Sequence, residues 1–90
     1  MKFEWDNEKN KLNKIKHGVS FEEAQTVFDD EYATVIYDDA HSINEERFLI
    51  IGRDSFFREL NVCHCYRSVD IVRIISARKA TKTEISIYGR

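Results

Sequence analysis

The sequence predicts an α+β fold: two N-terminal helices, a four-stranded antiparallel sheet and a C-terminal helix. Three observations lead there. The first 28 residues carry helix signals, namely Asp6 ahead of a run of strong helix formers and the capping box Ser20-Phe21-Glu22-Glu23. From residue 33 onward the apolar period becomes two, broken by short polar turns. Finally, the β-branched run Ile71-Val72-Arg73-Ile74-Ile75 is followed closely by a second capping box, Thr81-Lys82-Thr83-Glu84.

Each element has a local reason. Phe3-Glu4-Trp5 is a short entry segment. Asp6 caps a helix over residues 7–16, whose narrow inner stripe is Leu12 and Ile15, with Trp5 just before them. Gly18 suits the left-handed position past a helix end. A second helix spans residues 20–28, with Phe21, Ala24, Val27 and Phe28 inward and Val19 placed to staple onto Ala24. Asp29-Asp30-Glu31 opposes the helix dipole and marks its stop. Strands follow at residues 33–37, 46–53 and 58–67, and a fourth begins at Ile71. Gly52 marks a bulge or a close approach. Leu60, Val62, His64 and Tyr66 share one side of the third strand. Short turns between neighbouring strands imply antiparallel hairpins, with the helices packed on one face of the sheet. Residues 1–90 read as one domain, with no linker or repeat.

Composition narrows the function classes. The chain has 42% apolar and 33% charged residues, globular values, and a net charge of −2. No secretory pattern or long apolar run is present, so a cytoplasmic protein without a membrane anchor is expected. Cys63 and Cys65 lie two apart, with parallel Cβ vectors in a strand, which disfavours a disulfide. A zinc site needs about four ligands and no second pair is visible, so neither metal nor cofactor is expected. Charge is unevenly spread. Residues 1–57 hold 7 basic and 13 acidic side chains, whereas residues 58–90 hold 7 basic and 3 acidic. The last third is a local basic field suited to a phosphate ligand, although Lys79, Lys82 and Arg90 also read as solvated charges.

Four arginines occupy strand positions: Arg47, Arg67, Arg73 and Arg78. An antiparallel hairpin would place Arg67 near Arg73. Arg73 and Arg78 have opposite parity, so a bend or bulge near Ala77 is needed to bring them to one face. Clustered guanidinium groups suit phosphate, each offering two parallel hydrogen bonds. They equally suit ion pairs with Glu45, Glu46, Asp70 or Glu84. His17 ends the first helix, where imidazolium is favoured and proton transfer is feasible. His41, in a turn, and His64, in a strand, read as structural.

The segments FEWDNEKNKLNKIKHGVSFEEA, ERFLIIGR and VRIISARKATKTEISIY together resemble the BrnT toxins of bacterial type II toxin–antitoxin systems. The resemblance covers nearly the whole chain. It implies a RelE-like fold and a ribonuclease that inhibits translation. Its implied partner is a BrnA-type ribbon-helix-helix antitoxin, with promoter DNA bound only through that antitoxin. RNA is the implied substrate, on the ribosome or free. Matching motif positions implicate His17, Arg47, Arg67, Arg73, Ser76 and Arg78. Around Arg67 the family more often has an acidic residue before and a glycine after, where this chain has Tyr66 and Ser68. RNA cleavage by 2′-OH attack needs a base, an acid and cations for the phosphorane, and His17 and Glu84 are the candidates for proton transfer. A second possibility is an interaction module that binds an antitoxin and co-represses transcription with little catalysis.

Overall fold

The computed structural model describes residues 1–88, so Arg90 lies outside the described residues. Its sheet has five strands rather than four and is mixed rather than antiparallel. In chain order these are β1 (Lys2–Glu4), β2 (Thr34–Tyr37), β3 (Phe48–Arg53), β4 (Glu59–Ser68) and β5 (Ile71–Lys79), arranged β1-β5-β4-β3-β2. The antiparallel β2-β3-β4-β5 meander is as expected. The addition is β1, formed by the entry segment, which pairs parallel to β5 in the register Phe3↔Val72. Three residues give too short an alternation to read as a strand.

Three α-helices accompany the sheet: α1 (Asn7–His17), α2 (Phe21–Ala24) and α3 (Lys82–Ser86). Asp6 caps α1 and Gly18 ends it at φ 70°, and both capping boxes form. The second helix is shorter than its sequence suggests. After Ala24 it tightens into a 3₁₀ turn, Gln25–Asp29. There the Thr26 hydroxyl donates back to the Glu23 carbonyl at 2.7 Å and accepts the Ser55 N–H at 2.9 Å. Gly52 is a close approach: a Cβ there would lie 2.8 Å from that of Ala33.

The core lies between the sheet and the α1/α2 layer. Val19, Phe21, Ala24, Val27, Ile50, Leu60, Val62, Ile74 and Ala77 form one buried cluster. Two expectations fail. Leu12 and Ile15 are 62% and 83% exposed, and the buried residue of α1 is Asn13. Its side chain donates to the Val19 and Ala77 carbonyls at 2.8 Å and accepts the Ala77 N–H at 3.1 Å. Asn13 thus substitutes for a neighbouring strand where β1 no longer flanks β5. The helices are also not confined to one face. Asn61 points away from the core that Val62 joins, yet it is buried and bonded to Glu84 of α3 at 2.9 Å. α3 therefore covers part of the opposite face.

Candidate active site

The bulge expected near Ala77 forms two residues before it, at Ile75. Cys63 pairs with Ser76 and His64 with Ile74, leaving Ile75 as the extra residue of β5. Ile74 and Ala77 consequently both face the core although they are three apart. The same shift puts Arg73, Ser76 and Arg78 on the face opposite α1 and α2. A second irregularity leaves Arg67 unpaired in the register between Tyr66↔Val72 and Ser68↔Ile71.

On that face lies a groove of about 230 Å³, lined by Asp38, His41, Arg47, Asn61, Cys63, Ser76 and Arg78 along with Leu49 and Ile75. Three sequence candidates meet there: Arg47, Ser76 and Arg78. Arg78 is held in a fork by Glu84, with contacts of 2.9 and 2.8 Å. Arg47 faces Glu45 at 3.6 Å, and its Nε is buried with no hydrogen-bond partner among the described residues. A buried, unpaired guanidinium N–H is costly unless a further acceptor joins it.

The other candidates lie apart from this trio. Arg67 and Arg73 converge on Glu4 of β1, at 3.7 and 2.9 Å. The predicted proximity of these two arginines thus holds, and their anchor is a carboxylate that the sequence did not single out. His17 lies in an adjoining depression of about 200 Å³ that shares Ile75 and Ser76 with the groove.

Comparison with known proteins places the chain in a family. A family model described as the ribonuclease toxin, BrnT, of type II toxin–antitoxin systems matches residues 5–84. The chain belongs to the BrnT family. A crystal structure of the Brucella abortus ribonuclease toxin BrnT, at 1.1 Å resolution, is similar to it. It has a TM-score of 0.71 and 25% identity, and the match covers 91% of this chain and 99% of that one. No curated protein matches. Membership in a type II system implies an antitoxin partner. Among the described residues, no helix of this BrnT chain is long and apolar enough to cross a membrane.

Electrostatics sorts the groups available for chemistry in this BrnT chain. Glu84 is held at a pKa of about 2, chiefly by Arg78, and also accepts from Thr81 N–H and Asn61. It is a fixed anion, not a proton shuttle. Burial pushes the Cys63 thiol up, which leaves it protonated and unreactive at neutral pH. His64 is fully buried between Phe28, Phe48 and Tyr66, and burial pushes its pKa down. It is structural, as its sequence position suggested. His41 differs. It lines the groove, and its Nδ1 lies 3.1 and 3.0 Å from the two Asp38 carboxylate oxygens. The sequence signal was present, an Asp three residues ahead of a His in a tight turn, but the turn's position beside Arg47 was not visible.

Proposed function

We propose that this BrnT-family chain, acting as a single domain over residues 1–90, is a metal-independent endoribonuclease of the cytoplasm. It cleaves RNA, inhibits translation and is neutralised by a BrnA-type ribbon-helix-helix antitoxin, which alone contacts promoter DNA. The observation that carries this is the groove, where the unpartnered Arg47 Nε shares one wall system with Ser76 and Arg78. Two guanidinium groups and a hydroxyl there suit a scissile phosphate. They stabilise the charge that builds on its oxygens as the 2′-OH attacks. Arg67 and Arg73, farther along the same sheet, suit a flanking phosphate, which competes with Glu4 for them. His17 borders the groove through the shared Ser76.

The test is cleavage of single-stranded RNA, alone and on ribosomes, in the presence of EDTA. Activity is expected to persist in EDTA. Arg47→Ala and Arg78→Ala are each expected to lower it by about 10²–10³-fold in proteins that remain folded by circular dichroism. Activity lost in EDTA and restored by a divalent ion overturns metal independence. A second reading, a catalytically weak module that mainly binds antitoxin, is favoured by the carboxylate partners of Arg67, Arg73 and Arg78. Tight antitoxin binding without RNA cleavage under any of these conditions selects it.

A further inference from the structure

We infer that His41, oriented by Asp38, is the group that takes the proton from the attacking 2′-OH in the groove. This rests on the ribonuclease reading and deepens it by assigning a role that neither His17 nor Glu84 had secured.

Three observations lead to His41. First, its tautomer is fixed. An ionised carboxylate can only accept, so the Nδ1 that meets both Asp38 oxygens carries the hydrogen, and the Nε2 lone pair remains for the groove. Asp38 is itself well enclosed, its side chain 12% exposed against 68% for His41. That pattern of an anchored carboxylate and an accessible imidazole is how a histidine base is held in register. Second, the turn is closed upon itself. Asp38 N–H donates to the Arg47 carbonyl at 2.9 Å, Arg47 N–H to Ser42 Oγ at 2.9 Å, and the Ser42 hydroxyl to the Asp38 carbonyl at 2.6 Å. His41 and Arg47 therefore sit on two arms of one braced loop, which fixes the base relative to a phosphate-binding cation. Third, among the residues that line the groove itself no other base is free, His17 lying in the adjoining depression. Its other charged or titratable groups are Asp38, Arg47, Cys63 and Arg78, with Glu45 beside Arg47 in the neighbouring hollow. Asp38 is committed to His41, Glu45 faces the Arg47 guanidinium at 3.6 Å, Cys63 is protonated, and the arginines are cations.

Neutral His41 accepts the 2′-OH proton at Nε2 while the 2′-oxygen forms its bond to phosphorus. The bond from phosphorus to the 5′-oxygen breaks, and that oxygen takes a proton from water. The imidazolium then returns its proton to the hydroxide so formed. The products are a 2′,3′-cyclic phosphate and a 5′-hydroxyl.

The experiment is a pH–rate profile on a short single-stranded RNA in EDTA for the wild type, His41→Ala, Asp38→Asn and His17→Ala, with Arg47→Ala as a control for the groove. His41→Ala is expected to lower kcat by about 10²–10⁴-fold with little change in KM, and to abolish the acidic limb of the profile. Asp38→Asn is expected to keep the limb but lower kcat, because it weakens the hold on the tautomer. A His41→Ala protein within about threefold of the wild type, while Arg47→Ala is impaired, overturns the inference and leaves the ribonuclease reading standing. Loss of the limb in His17→Ala instead of His41→Ala also overturns it. A second arm needs no turnover. Titrating the wild type with inorganic phosphate, followed by NMR, is expected to shift the His41 ring resonances as an anion docks on Arg47. Arg47 and Arg78 resonances that move while the His41 ring resonances stay fixed refute the inference. A wild type that neither cleaves RNA nor binds phosphate overturns both.

Discussion

Glu84→Gln tests how far one carboxylate organises the far face of the sheet. Glu84 accepts from both Arg78 nitrogens, from Thr81 N–H and from Asn61, and its pKa falls from 4.5 to about 2. At about 1.4 kcal/mol per pH unit, that drop is worth roughly 3 kcal/mol. Arg78 is 42% exposed, so screening by solvent reduces this to about 2 kcal/mol. The folded-state pKa lies below the unfolded one. The stabilisation is therefore complete above about pH 4.5 and vanishes as pH falls toward 2. Glutamine keeps the shape but removes the charge and turns an NH₂ toward donors. Urea unfolding of both proteins between pH 7 and pH 2 is the assay. A gap of about 2 kcal/mol at pH 7 that closes at low pH is expected. A gap under about 0.5 kcal/mol at pH 7, or one that ignores pH, refutes the assignment of Glu84 as the anion that secures α3 and Arg78.

Further predictions follow from single side chains. Asn13→Leu leaves the Ala77 N–H and two carbonyls without partners in a buried setting, and is expected to cost about 3 kcal/mol in chemical denaturation. The two glycines among the described residues should differ in mechanism. Gly52→Ala forces a Cβ against Ala33 and Val27 and should cost about 1–3 kcal/mol through overpacking. Gly18→Ala meets no atom within 4 Å, so only its φ of 70° opposes it and about 1 kcal/mol is expected. Sulfate should raise the thermal midpoint by filling the groove, and Arg47→Ala should remove most of that rise.

The meander, the caps and the core face of β4 were legible because each rests on local pattern. Leu60, Val62 and His64 recur at every second position on the core side of β4, and Ser20 and Thr81 announce their helices four residues at a time. What escaped was set by partners far away in sequence. Asn13 looks like one more polar residue of a lysine-rich helix until β5 is laid beside it, 64 residues later. Leu12 and Ile15 look inward-facing by type but lie on the turns that this buried asparagine directs outward. Glu4 gave no hint that it would hold two arginines. Of the implicated residues, Arg47, Ser76 and Arg78 converge, whereas Arg67, Arg73 and His17 do not join that groove. Parity counting alone could not decide this, because one extra residue at Ile75 reverses the face of everything beyond it.

The parallel pairing of β1 with β5 has a kinetic consequence. Glu4 and Arg73 are 69 residues apart along the chain. Closing so long a loop costs about 4 kcal/mol of chain entropy, whereas the β3-β4 and β4-β5 hairpins close over a few residues. The hairpins are therefore expected to assemble early and β1 to dock late, after the barrier has mostly been crossed. Weakening β1, for instance by Phe3→Ala, should leave the refolding rate nearly unchanged and speed unfolding. The ion pairs of Arg67 and Arg73 with Glu4 are then expected to open before the β3-β4 and β4-β5 hairpins do.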